Sequence, residues 1–227
     1  MASTCWHKIT VTLSVFCLLI SPLRLRAQPE SKPDEVIPSI TFNAVPLSDA
    51  IKNLARQAGF NYIINPHVPP DADVPPLTLI LKNVSAGEAF DTVLKLRRLV
   101  RIDNPATSIM RIAPAKLGIK PISQEQFGKD TNAVVPVIMF DEVPLKDAVQ
   151  VFANQLHLKI TFDKKFMATP AGNSISSTYV SVRWKHLTLK QALVALLDNY
   201  ELVMIPDQSG SSARITTKEE ASKSKSP

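Results

Sequence analysis

Cysteine is close to absent: the 227-residue chain has two, Cys5 and Cys17, both within its first 27 residues. Without those residues no thiol remains to form a disulfide or act as a nucleophile, and packing alone must hold the fold. Histidine is sparse as well. Beyond residue 27 the histidines are His67, His157 and His186, which fall in three different segments, without the His-x-x-x-His or Cys spacing of a zinc site. The glycines (Gly59, Gly87, Gly118, Gly128, Gly172, Gly210) are all isolated. That excludes a phosphate-cradling loop, the Gly-x-Ser-x-Gly elbow of serine hydrolases and the Gly-x-x-Gly clamp of a KH-type RNA binder. The closest approach to a metal set is Asp71 and Asp73 in a proline-studded loop, which lacks the Gly and the distal Glu of an EF-hand. The reading is of a protein with no cofactor, no metal and no catalytic residues, and not an enzyme. Asp49 and Asp147, the one repeated pair of carboxylates, are accounted for by first-turn helix positions.

The apolar run from Ile9 to Ile20, behind the weakly basic head Met1 to Lys8, is too short to span a bilayer, which needs about 20 residues. It has the length of a signal-peptide core, with a cleavage site at Leu25-Arg26-Ala27 before Gln28. Residues 1–27 are expected to be a signal peptide, and a retained anchor is the competing reading. Cleavage removes Lys8, Arg24 and Arg26 and no acid, so the formal net charge falls from +6 to +3. A charge that small does not argue for a nucleic-acid partner. Nor does the mature chain have a stable membrane span. Proline outnumbers glycine, 18 to 6, which favours stiff linkers over floppy ones.

What is present is a repeat. Val45-Pro46-Leu47-Ser48-Asp49-Ala50 returns 98 positions later as Val143-Pro144-Leu145-Lys146-Asp147-Ala148. Each copy follows a short apolar segment with a Phe (Phe42, Phe140), and each places a proline just inside a helix start. Ile51, Leu54, Ala55 and Ala58 align with Val149, Phe152, Ala153 and Leu156, one stripe of an α-helix. The β-rich runs Tyr62 to Asn65 and Ile160 to Asp163 follow. Then come Leu77 to Lys82 and Tyr179 to Trp184, offset by 103, so the second copy has a loop five residues longer. Ser85 with Glu88, and Thr188 with Gln191, fit the capping box of a second helix. Each copy ends in a hairpin, Leu99–Ile102 with Ile109–Ile112 and Leu202–Ile205 with Ala213–Thr216. Trp184 stands in the place of Leu81 and is expected in the core.

The fold class is therefore α+β, with two tandem β-α-β-β-α-β-β modules whose helices pack on short mixed sheets. The chain divides into a signal peptide (1–27), a Pro-rich tether (28–36), a first module (37–113), a linker (114–136), a second module (137–217) and a disordered tail (218–227). The loop from Lys164 to Thr178 is turn-rich. One segment, Lys95, Arg97, Arg98 and Arg101, concentrates cations at a helix end and the start of a strand. Complementing the helix dipole is one reading of it, and a docking patch for an acidic partner is the other.

The succession of strand, Val-Pro-Leu-x-Asp-Ala, amphipathic helix, strand, loop, strand, Asn83-Val84-Ser85-Ala86-Gly87-Glu88-Ala89 and helix resembles the short N-terminal (STN) domain of secretins and TonB-dependent receptors. The best-matching residues run from Phe42 to Gly59 and Leu79 to Leu94, and again from Phe140 to Leu158 and Val182 to Leu197. The resemblance covers both modules. It implies periplasmic modules, some associated with the outer membrane, that form rings or docking surfaces for other envelope components and perform no chemistry. No barrel segment follows the second module, so an accessory or adaptor is expected rather than a pore or receptor. The implied partners are an envelope protein (a secretin-like channel, a receptor or an assembly factor) or a second copy of the chain. The alternative is a periplasmic small-ligand binder or sensor using the cleft between the modules.

Overall fold

The computed structural model describes residues 35–120, 132–163, 178–207 and 212–223. The signal segment, nearly all of the tether, the middle of the linker and nearly all of the loop from Lys164 to Thr178 lie outside these residues. The first module contains β1 (Val36–Val45), α1 (Leu47–Ala58), β2 (Tyr62–Ile64), β3 (Leu77–Ser85), α2 (Ala86–Leu96), β4 (Leu99–Ile102) and β5 (Met110–Pro114). The second contains β6 (Val134–Pro144), α3 (Leu145–Gln155), β7 (Lys159–Phe162), β8 (Tyr179–Thr188), α4 (Leu189–Asn199), β9 (Leu202–Pro206) and β10 (Ser212–Thr217). The order β-α-β-β-α-β-β thus occurs twice, and β6 begins at Val134 rather than Val137. Among the described residues, no helix is long and apolar enough to cross a membrane.

Each module has two small sheets. A long antiparallel ribbon, β1 with β3 or β6 with β8, is one. A three-stranded mixed sheet is the other: β2 runs parallel to β5 and β4 antiparallel to it, as β7 and β9 do to β10. The helix stripes read from the sequence face the core: Ile51, Leu54, Ala55 and Ala58 are buried, as are Val149, Phe152 and Ala153. Leu156 is only partly buried, because it follows the last helical residue, Gln155.

The prolines sit one place earlier than expected. Pro46 and Pro144 occupy the cap position itself, and neither helix has a side-chain cap of its own. The first-turn amide of Ser48 is instead satisfied from the loop, donating to Asp71 Oδ1 at 3.0 Å. The Ser48 hydroxyl donates to the same carboxylate. Asp71 is a distant helix cap.

The duplication extends to backbone conformations that, Gly59 apart, the residue types advertise little. Four left-handed positions recur at the repeat offsets: Ala44 with Glu142, Gly59 with His157, Asn83 with His186, and Arg98 with Glu201. The first pair lies in bulges that break the ribbon register between Phe42 and Val45 and between Phe140 and Val143. Both bulge amides donate to a hydroxyl on the facing strand, Ala44 to Thr78 at 3.1 Å and Glu142 to Ser181 at 2.9 Å. The second pair closes α1 and α3. Beyond each, the next amide reaches back to the helix, Phe60 to Ala55 O and Leu158 to Ala153 O, both at 2.9 Å.

His157 has φ 56° where its counterpart is glycine. Relief of a left-handed side chain is worth about 1–2 kcal/mol, against about 0.5–1 kcal/mol of extra unfolded-state freedom for glycine. His157→Gly is therefore expected to stabilise by about 0.5–1 kcal/mol, read as a rise in melting temperature. A fall would mean the imidazole makes contacts that outweigh its strain.

Both capping boxes form. Glu88 N donates to Ser85 Oγ at 3.2 Å and Ser85 N to Glu88 Oε2 at 2.8 Å. Thr188 and Gln191 repeat this at 3.1 and 2.9 Å. The bonds from Ser85 hold the Glu88 carboxyl below its usual value of 4.5. A carboxyl lowered in the fold contributes stability that is present above its unfolded pKa and lost as pH falls through the folded one. The difference in melting temperature between the wild type and Glu88→Gln should therefore change on acidification from pH 7 to pH 3, whereas Thr188 with neutral Gln191 has no such dependence. An unchanged difference would remove Glu88 from the acid response.

The tail corrects one expectation. Lys218–Lys223 forms a short helix, α5, in place of disorder from residue 218 onwards. Lys223 lies 2.6 Å from Glu219 and 3.7 Å from Glu220, pairs one helical turn apart.

Candidate interaction site

The outward face of the first module's mixed sheet is covered by the second module. Along β2, Tyr62 and Ile64 pack into the first core, while Ile63 belongs to the core of the second module together with Ile109. On β5, Met110 and Ile112 point into the first core and Arg111 points out. The alternation places Ile63 and Arg111 side by side, as their register pairing requires.

The second module receives this face with β8 and α4. Trp184, fully buried as expected of a core residue, also donates its indole N–H to Tyr62 O at 2.7 Å. The open edge of β8 is met by Asn61, whose side chain acts as a short mimic of a strand. Its amide donates to Lys185 O at 2.8 Å and its oxygen accepts from Lys185 N at 2.7 Å. Asn65 donates to Asn199 O at 3.3 Å, and Asn199 donates to Ile64 O at 3.0 Å.

At the centre is a charge cluster. Arg111 lies against Asp198, with side chains 8% and 9% exposed. Lys218 Nζ takes the other Asp198 oxygen at 2.5 Å. Burial lowers the Arg111 pKa, and the nearby Glu201 carboxylate opposes that shift. Two acids, Asp198 and Glu201, thus face two cations, Arg111 and Lys218. The cavity left beside this cluster has a free volume of about 10 Å³, room for one water at most, so a small ligand there must open the junction.

The four cations singled out in the sequence do not act together. Arg97 turns inward and donates to Pro75 O at 2.6 Å. Arg101 lies 3.4 Å from Asp91 and 3.7 Å from Asp103, with its guanidinium 5.7 Å from the centre of the Phe60 ring. Lys95 and Arg98 remain exposed, and among the described residues their side chains form no ion pair. Asp49 and Asp147 both stand exposed in first helical turns, on different modules. Among the described residues, no three His, Cys, Asp or Glu side chains cluster to hold a metal. Burial, with Asp49 adding to it, pushes the Tyr62 phenol up to about 12. Burial alone does the same for Tyr200, so neither phenol ionises near neutral pH.

No family model matches this chain, and no curated protein does. The junction is the most specific feature from which a function can be inferred. Sequence reasoning missed it, although the signal was there: Ile63 is apolar at an outward strand position where the repeat has Thr161.

Proposed function

We propose that the protein is a non-enzymatic, exported interaction and assembly module of the bacterial cell envelope, accessory to a secretin-like secretion system or a TonB-type uptake and signalling system. One observation carries this reading. Two modules of one fold join face to face through a buried, side-chain-specific junction, and among the described residues no third module covers the corresponding faces at the two outer ends, where Leu96 is 57% and the Arg214 side chain 51% exposed. Such a unit holds two docking faces at a fixed spacing and orientation, which suits an adaptor. The STN-like succession of motifs and the signal-like first 27 residues support the envelope setting and a periplasmic, outer-membrane-associated location. Addition of a partner strand at the open edge of β3 is a further contact available to it.

The test is a crosslinked pull-down of tagged residues 28–227 from the envelope fraction of the source cell. Enrichment of an outer-membrane channel, a receptor or an assembly factor is the expected result. Recovery of the bait alone would overturn the reading.

A further inference from the structure

The repeat allows the two outer faces to be compared, residue by residue, with the faces that are joined. On the receiving side, Trp184, Lys185, Ala195, Asp198, Asn199 and Glu201 correspond to Leu81, Lys82, Thr92, Lys95, Leu96 and Arg98. Both carboxylates that face Arg111 are thus replaced by cations, Asp198 by Lys95 and Glu201 by Arg98. The backbone frame is unchanged: α2 and α4 have 11 residues each, and Arg98 and Glu201 share a left-handed φ, 54° and 58°. Leu96 is 57% exposed where Asn199 is fully buried. On the inserting side, Asn61, Ile63 and Arg111 correspond to Lys159, Thr161 and Arg214. Thr161 and Arg214 pair across the parallel strands as Ile63 and Arg111 do. The Arg214 side chain is 51% exposed and lies 3.7 Å from the Asp163 carboxylate.

We infer that the free receiving face on the first module, built around Lys95, Leu96 and Arg98, seats the outer sheet of another module of this fold that presents a carboxylate where Arg111 stands in the internal junction. The inference rests on the interaction reading above and names the partner's chemistry. The internal junction supplies the template, and the reversed charges set the sign. A second copy of this chain fits poorly, because its inserting face carries two cations, Lys159 and Arg214, against one carboxylate, Asp163, 3.7 Å from Arg214, and would meet Lys82, Lys95 and Arg98. Like charges so placed suppress the wrong partner.

The internal junction also supplies the probe. In the chain of residues 28–227, Lys159→Asn, Thr161→Ile and Asp163→Asn graft the inserting face of the first module onto the second, and Arg214→Glu supplies the carboxylate. Lys95→Glu in the same molecule closes its own receiving face. This analyte should bind immobilised wild-type chain. The same graft retaining Arg214 should not, and Lys95→Glu in the immobilised chain should weaken binding about tenfold or more. In the reciprocal pairing, the graft retaining Arg214 should bind a chain whose receiving face carries Lys95→Asp, Leu96→Asn and Arg98→Glu.

Circular dichroism and melting establish that each variant is folded. If the glutamate graft misfolds, the reciprocal pair decides. Silence of the folded pairs would overturn the inference, as would binding indifferent to Lys95. Self-association of the wild-type chain, abolished by Lys95→Glu, would make a second copy the occupant and overturn it too. A silent series alongside a positive envelope pull-down sinks only this inference, whereas a bait recovered alone sinks the interaction reading itself.

Discussion

Asp198→Ala is expected to destabilise the chain by about 3–5 kcal/mol, the usual effect of removing one member of a buried ion pair. Its carboxylate, 9% exposed, neutralises Arg111 on one module and Lys218 at the end of the other. Lys218 is 41% exposed and can turn to water when its partner is lost. Arg111 cannot, being buried by the joined modules. Most of the expected loss is therefore a buried guanidinium left without its direct partner, with only the Glu201 carboxylate nearby. Arg111→Met with Asp198→Leu replaces the pair by apolar groups of similar volume and should recover most of the stability. Urea unfolding followed by circular dichroism measures both. A single variant within about 1 kcal/mol of wild type, the size of an exposed pair, would show that the junction is not closed in solution.

Trp184→Ala should cost a similar amount, about 3–5 kcal/mol, by the cavity and lost burial of a large core side chain. Trp184→Phe separates two contributions. Phenylalanine keeps most of the ring volume but cannot donate to Tyr62 O, and an unpaired buried carbonyl costs about 1–3 kcal/mol. The residue is also a reporter. Trp6 and Trp184 are the tryptophans of the chain, so residues 28–227 contain Trp184 alone. Its emission should be blue-shifted in the native state and move to the red as the modules part. Emission typical of exposed indole under native conditions would contradict the burial of this side chain at the junction.

Much of the fold is legible because local chemistry and tertiary demand agree. Ser85 with Glu88 and Thr188 with Gln191 specify helix starts through side chains three residues apart, and the apolar spacing of α1 and α3 specifies which face is buried. The left-handed positions are less visible. Gly59 announces itself, whereas His157, Asn83 and Arg98 occupy the same region at an energetic disadvantage that surrounding structure sustains. The tail read as disordered because it is poor in apolar residues, yet Glu219 and Lys223 sit one turn apart and Lys218 is anchored to Asp198. That anchor depends on a tertiary contact which no local window contains.

The site was only half legible. Lys95, Arg97, Arg98 and Arg101 read as one patch because they are neighbours in sequence. A helix end and a strand then turn Arg97 towards Pro75 and set the exposed Arg101 beside Asp91 and Asp103, and leave Lys95 and Arg98 without an ion pair among the described residues. Repeat arithmetic holds the better signal: the strongest departures between the two copies, Asp198 against Lys95 and Ile63 against Thr161, fall where one copy is covered and the other bare.

The division of the second core between modules has a consequence during synthesis. The ribosome completes β5 about eighty residues before Asp198 emerges, an interval of roughly 4–17 s at ordinary elongation rates. Throughout it, Ile63 and Ile109 have no cover and the Arg111 guanidinium has no counter-ion. The leading half of the nascent chain must therefore wait, sticky and positively charged on one side, for its trailing half to arrive. Chaperone demand should be greatest in that interval.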